Sequence, residues 1–486
     1  MASLDHNKEY YDLVLASLLH DIGKFYLRAG FKLDEANNAD SFARTNYYYY
    51  HAAMTDKFFR DLIPTLDIVG HLAALHHRPE NATHNRQTYL SRMIQLADWL
   101  SAGERIKLES DETTNPEKEP LISIFSMLSL DNEAAAKESY LPISYMDPEL
   151  NNLFPKSDKS KLNVDYCGLW TQFIKELSKL KSGDQKEFLT QIYYLLQKYT
   201  ISIPSAAYRE VADISLFHHL KSVAALDSCI YLLAQSDIMT EDKLNQIVNS
   251  FQSWAKNSRT KPIPDDLGAK DFLLVGGDIS GIQDFLYQVT SEKALKGLRG
   301  RSFYLQLISE ILAKKILDEF ELSECNLLYC GGGNFYILLP AISDAKKRLE
   351  EIQTKFDSVL LKAHKGKLSV ILSWVEVSYA DFLENFAGRW SYLGQKLAIN
   401  KKRKFSSLLK PGIEHIKFQE IFGPYEEGGE KIGCSICGEE LDNTTSADGQ
   451  CSLCESFARL ASQLKNARAM SVTKFASANI NNSFHT

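Results

Sequence analysis

The chain has 486 residues, of which 44% are apolar and 24% charged, with 13 prolines and 25 glycines. That length exceeds what a single core holds, so roughly two to four domains are expected, and the composition excludes a disordered or repetitive protein. A formal net charge of −7 excludes a surface coated in positive charge, so any nucleic-acid contact must be local. The opening MASLDHNKEYYDLVLASLLHDIGK has no basic stretch leading into an apolar one, and no run of about 18 apolar residues occurs. Neither a signal peptide nor a membrane span is expected.

Residues 1–108 are expected to be helical, from the spacing of Tyr10, Leu13, Val14 and Leu18 and later of Leu90, Ile94 and Ala97. His20 and Asp21 stand at a helix end that Gly23 can terminate. His51, the pair His76 and His77 just before Pro79, and Asp98 in LSRMIQLADWLSAGER follow. Imidazole and carboxylate together suit a first-row divalent metal, and Asp98 borders an apolar helical face where an unpaired carboxylate would be costly. A metal held there would lower the pKa of bound water and clamp a phosphodiester oxygen, so phosphate-ester hydrolysis is the expected chemistry, with His20 and Asp21 catalytic. His6, His71 and His84 fit no such spacing.

Residues 109–165 are polar and proline-punctuated, as a linker would be, and 166–266 return to helix. That block holds Asp213 and His218 in VADISLFHHLKSVAAL, to which no role is assigned. From 267 to 380 the period changes. A strand at Phe272–Val275, a helix from Ser302 to about Phe320, two strands meeting at Gly331–Asn334, a helix from Ser343 to about Ala363 and a strand at Leu368–Val377 give the order βαββαβ. That order is a ferredoxin-like unit, the palm of many nucleotide polymerases and cyclases.

GGDISGIQDF puts Asp278 after the first strand, where a palm places a metal-binding acid; its glycines let a nucleotide approach the backbone, and Asp278, Ser280 and Gly281 are expected to bind it. Lys296, Arg299 and Arg301 in KGLRGRS should sit at a helix N-terminus and form an anion site. Gly332, Gly333 and Asn334 occupy the hairpin where an active cyclase carries paired aspartates, so a two-metal site is incomplete. Residues 381–486 are expected to be a helical, zinc-binding region. Cys434 and Cys437, thirteen further residues, then Cys451 and Cys454 make two CxxC pairs whose four thiolates satisfy tetrahedral zinc, leaving no open position for catalytic water. With Cys167, Cys229, Cys325 and Cys330 scattered, the pattern indicates metal binding in a reducing cytoplasm. The fold class expected is therefore multidomain α+β: an all-α HD-type domain, a ferredoxin-like palm and helical segments around a four-cysteine zinc site.

LLHDIGKF, the histidine pair, ADWLSAGER, GGDISGIQ, KGLRGRSFYLQL and GGGNFYILLP resemble the large subunit of type III CRISPR effector complexes, particularly the Csm (III-A) type. The resemblance implies a permuted HD domain acting as a metal-dependent nuclease on single-stranded DNA, with manganese, nickel or cobalt as its metal. Its metal ligands would be His20, Asp21, His77, His76, Asp98 and His51. It further implies a first palm that binds ATP, whose GGDD-bearing partner palm completes a site for cyclic oligoadenylate synthesis. No GGDD occurs here and the resemblance runs from about residue 10 to 465, so the chain reads as the front portion of a longer subunit that would not make cyclic oligoadenylate alone. The implied partners are the other effector subunits, CRISPR RNA and target RNA. A nucleotide or cyclic-dinucleotide phosphohydrolase with a nucleotide-sensing palm, and a catalytically silent scaffold, remain open.

Overall fold

The computed structural model describes residues 2–34, 36–103, 119–128, 138–181, 183–206, 211–256, 262–287, 294–409, 421–423, 432–441, 449–467 and 470. They are mostly helical, with one small sheet. The N-terminal region is built on α1 (Ala2–Leu19), α2 (Ile22–Arg28), α3 (Tyr50–Leu62), α4 (Asp67–Ala74) and α5 (Asn85–Ser101). After it come α6 (Tyr166–Leu177), α7 (Gln185–Thr200) and α8 (Leu216–Gln235). No helix among the described residues is long and apolar enough to cross a membrane.

Two compact units are distinguished. The first comprises Met1–Asp278, Glu310–Lys355 and Val370–Lys404, so the N-terminal helices, the helical block after residue 166 and the sheet strands share one unit. The reason lies in α8, most of whose positions are buried, including Leu216, Phe217, Leu220, Val223, Ala224, Cys229 and Ile230. A helix that is apolar nearly all round belongs inside a core. One side of α8 packs on α1 and α5, and another meets the third strand and the turn at Glu324–Asn326. The buried Asn326 amide fastens that second side, donating to the Ala225 and Leu338 carbonyls at 3.0 Å each. Where a linker was expected, the described part of 109–165 carries bridges joining Tyr140 to Ile122 and Lys156.

The sheet comprises β1 (Phe272–Ser280), β2 (Leu327–Gly331), β3 (Asn334–Pro340) and β4 (Ser369–Val377), in the order β2-β3-β1-β4. β3 runs antiparallel to both β1 and β2. Gly332 and Gly333 form the β2–β3 turn with φ of +60° and +84°, a geometry favouring glycine at both positions. β1 runs five residues beyond the expected Val275, because Gly276, Gly277 and Asp278 pair with Tyr336, Phe335 and Asn334. Gly277 is required there: a Cβ would lie 2.0 Å from the Phe335 ring. Two long helices connect the strands, α9 (Ala294–Glu319) and α10 (Ala345–His364). α9 begins before the expected Ser302, so Arg301 lies inside a helix and not at its free end.

Asp227 of α8 is fully buried, and its carboxylate accepts a hydrogen bond from the Ser17 hydroxyl of α1. Burial pushes its pKa up to about 8, so the folded chain keeps a proton that the unfolded chain releases. The stability tied to that proton is complete below the ordinary carboxylate pKa and is lost as the pH rises through about 8. Asp227→Asn removes the dependence. In urea unfolding, the variant's midpoint is expected to gain on the wild type's between pH about 5 and pH about 9, whereas a constant gap would contradict the buried neutral acid.

Candidate metal centre

Five separate helical pieces meet at one buried cluster. The short turn between α1 and α2 supplies His20 and Asp21, α3 supplies His51, the turn after α4 supplies His76 and His77, and α5 supplies Asp98. α8 adds His219 from its first turn, which is started by Ser215, whose Oγ accepts from the His218 N–H at 3.1 Å. His20 is 0% exposed, Asp21 2% and His219 2%. The close crossing of α2 on α3 depends on Gly23, where a Cβ would stand 2.1 Å from the His51 carbonyl oxygen and 2.5 Å from the Thr55 nitrogen.

The donor atoms converge in two adjacent groups, His20 with Asp21 and His219, and His51 with His76 and His77. His219 Nε2 lies 3.4 Å from Asp21 Oδ2 and 3.2 Å from Asp98 Oδ1, and His20 Nε2 lies 3.5 Å and 3.7 Å from the same two oxygens. His51 Nε2 joins the groups, 3.4 Å from Asp21 Oδ1 and 2.9 Å from His77 Nε2. The sequence therefore named six members of the cluster and missed His219. Its signal was burial periodicity: three residues after Leu216 and four before Val223, it falls on the inward stripe of α8, whereas its neighbour His218 caps at Ser215.

The inner faces of these side chains fit a metal. Nδ1 of His20 faces the Ser17 carbonyl at 2.8 Å and Nδ1 of His76 the Ala73 carbonyl at 2.6 Å, so in the neutral ring each Nδ1 carries the proton and Nε2 is left as an acceptor. Neither Nε2 has a hydrogen-bond partner although both are buried, and Asp21 Oδ1 is likewise orphaned. Such atoms carry a large penalty unless something positive lies between them. Burial drives the His51 and His76 imidazoles down to about 3, so both are neutral ligands at physiological pH. Burial opposes ionisation of Asp21, but Lys24, at 2.5 Å, with His20 and His51, holds its carboxyl well below the usual range. Asp98 is held low against the same burial by His20 and His219. His20 is pushed down by burial and up more strongly by Asp21 and Asp98, settling at about 9. Two buried carboxylates thus demand a cation, which a metal can supply in place of the His20 proton.

The other sequence-marked residues lie elsewhere. Asp278 sits opposite Asn334 on β1 and β3, with its carboxylate 2.6 Å from Lys401 Nζ. In the second unit, which comprises Ile279–Ser309, Phe356–Ser369 and Phe405–Thr486, Lys296 and Arg299 are exposed on α9. Gly281 has a φ of +94° against the Lys367 carbonyl. Arg301 is buried, donates to the Phe285 carbonyl oxygen and to Cys454 Sγ at 3.4 Å, and lies between the Phe285 and Phe457 rings. The four cysteines of this unit come together, with Cys437 and Cys451 sulfurs 3.7 Å apart. The Cys451 N–H points at Cys434 Sγ at 3.3 Å and the Cys454 N–H at Cys451 Sγ at 3.4 Å, while shared thiol hydrogen bonds hold Cys437 below its ordinary pKa and raise Cys454. Backbone donors aimed at sulfur favour thiolates, which are metal ligands.

Two family models match: an HD domain over residues 4–103 and a Csm1 subunit domain B over 271–418. The matched stretches thus put an HD domain ahead of a Csm1 subunit domain B, and the chain is similar to proteins described as Cas10/Csm1 of subtype III-A. It is 29% identical over 516 aligned positions to the CRISPR system single-strand-specific deoxyribonuclease Cas10/Csm1 (subtype III-A) of Methanocaldococcus jannaschii, covering 96% of this chain and 59% of that one. To the protein so described from Enterococcus italicus it is 29% identical, over 94% of this chain and 57% of that one. The chain thus spans less than two thirds of the length of these curated relatives. Among solved structures, the Csm1-Csm4 cassette in complex with pppApApA matches with a TM-score of 0.59 at 24% identity, over 83% of this chain and 50% of the other, a likeness of fold.

If His219 is a ligand, His219→Ala lowers affinity for manganese by at least about ten-fold in calorimetric titration, and His218→Ala leaves it unchanged; the reverse order would contradict the geometry. Gly23→Ala forces α2 and α3 apart and is expected to cost about 1–3 kcal/mol in urea unfolding. Unaltered stability would mean that the crossing is looser than drawn.

Proposed function

We propose that this chain is the nuclease-bearing part of a type III-A effector large subunit, hydrolysing phosphodiester bonds of single-stranded DNA at the buried cluster. The observation that carries the reading is the set of orphaned inward atoms, His20 Nε2, His76 Nε2 and Asp21 Oδ1, beside the His51–His77 contact. His20, Asp21, His219 and Asp98 would hold one divalent manganese, nickel or cobalt ion, and His51, His76 and His77 would hold or share a second. Such ions supply an activated water and neutralise a phosphate oxygen. The protein's own part is positioning: Ser17 and Ala73 carbonyls fix the ring tautomers, and Lys24 offsets the carboxylate charge beside Asp21. His51 and His77, less buried than His20 and His76, face the side from which a strand would enter.

The sheet order β2-β3-β1-β4 supports a ferredoxin-like palm of about residues 267–380. In the first unit Asp278, Gly332, Gly333 and Asn334, and in the second unit Ser280, Gly281, Lys296 and Arg299, are each proposed as nucleotide-binding residues. Arg301 is proposed instead to brace the cysteine cluster, since it is buried and its Nη1 and Nη2 donate to the Phe285 carbonyl and Cys454 Sγ. Asn334 stands where an acid would be needed opposite Asp278, so cyclic oligoadenylate synthesis from ATP would need a second palm. Cys434, Cys437, Cys451 and Cys454 are proposed to hold structural zinc. A Csm4-like subunit, CRISPR RNA and target RNA are the proposed partners, in the cytoplasm. The relatives' description as single-strand-specific deoxyribonucleases supports single-stranded DNA over a mononucleotide as substrate.

Purified chain loaded with manganese is expected to cleave labelled single-stranded DNA, and a His20→Ala/Asp21→Ala variant is expected to lose at least about a hundred-fold of that rate. Turnover of mononucleotides or cyclic dinucleotides with no DNA cleavage would replace this reading with a nucleotide phosphohydrolase.

A further inference from the structure

We propose that Tyr48 and Tyr49, with Arg78, form a base-stacking rim at the mouth of the metal centre, which seats the single-stranded DNA whose backbone is then cut; this rests on the nuclease reading above. The deep ligands are closed off from solvent, whereas His51 and His77 are only partly covered. Against these two lies the Tyr49 ring, its centroid 4.3 Å from that of His77 and 5.7 Å from that of His51. Tyr48 stands edge-on to Tyr49 at 5.0 Å. Both tyrosines are large aromatic groups left in water, 56% and 48% exposed, at the partly open side of a buried charged cluster.

The backbone presents them at a conformational cost. Tyr48 has a φ of +65°, rare for a bulky non-glycine residue, and it is held there by a hydrogen bond from Arg44 Nη1 to its carbonyl at 2.6 Å and by the Tyr49 N–H to the Tyr47 carbonyl at 2.7 Å. Strain of this kind persists where a side chain must be displayed in a fixed direction. The Arg78 guanidinium lies 4.5 Å over the Tyr48 ring and immediately follows His77 in sequence, while also pairing with Glu80 at 3.1 Å. Aromatic faces with an interleaved arginine are what sequence-tolerant single-strand binders use: bases stack on the rings and the cation meets the backbone. A base-paired duplex has no free base faces to offer, so the rim would also select for single strands.

The test uses the full chain without added metal, so that no strand is cut while binding is read, and fluorescence anisotropy with a short labelled oligodeoxynucleotide and its counterpart in which every base is replaced by an abasic spacer. Wild type should prefer the base-bearing strand by about ten-fold or more. Tyr48→Ala/Tyr49→Ala should lose that preference, and Tyr48→Phe/Tyr49→Phe should keep it. Photocrosslinking of a 4-thiothymidine strand to wild type, mapped by mass spectrometry, should mark Tyr48 or Tyr49 and requires no variant to fold. A wild type indifferent to base removal, an alanine variant with its preference intact, or crosslinks only elsewhere would overturn the rim. Strands bound at the tyrosines but never cut once manganese is added would instead sustain the rim and defeat the nuclease reading; strands then cut without any involvement of the tyrosines would do the reverse.

Discussion

Two carboxylates buried side by side, Asp21 and Asp98, are the constraint around which the first unit is arranged. Their burial is offset by Lys24 and by inward-facing imidazoles from two helices and two turns that surround them. Three of the imidazoles are held at the outer nitrogen, His20 and His76 by backbone carbonyls that no side-chain substitution removes and His219 by the Ser101 hydroxyl. The cluster is therefore preorganised by the backbone as much as by its ligands.

α8 extends that constraint beyond the N-terminal helices. Its first turn delivers His219 to Asp21 and Asp98, its middle buries Asp227 against Ser17, and its other side rests on β3 through Asn326. A single helix thus carries a member of the buried cluster and part of the wall under the sheet.

Much of this was legible in the sequence. The period of 3.6 residues marked the helices, and the change to short apolar runs marked the four strands in their order. His20, Asp21, the histidine pair and the four cysteines stood out because their types and spacings serve little else. What was not legible was long-range. His219 lies beyond a proline-rich stretch and looks, locally, like one of two adjacent histidines on a helix. Its role follows from a helix crossing that no local pattern encodes. The depth of Arg301 was hidden for a similar reason: KGLRGRS has the composition of an exposed basic turn, and only the packing of Phe285, Phe457 and Cys454 around it shows a buried guanidinium. The grouping of the sheet with the N-terminal helices escaped too, because a polar stretch reads as a boundary whether or not tertiary packing crosses it.

The most direct test of the account is anomalous diffraction at the manganese edge from crystals of the chain soaked in manganese. The account predicts a peak within ligand distance of His20 Nε2, Asp21 and His219 Nε2. Full occupancy of manganese elsewhere, with these atoms bridged only by water or by their own protons, would contradict it.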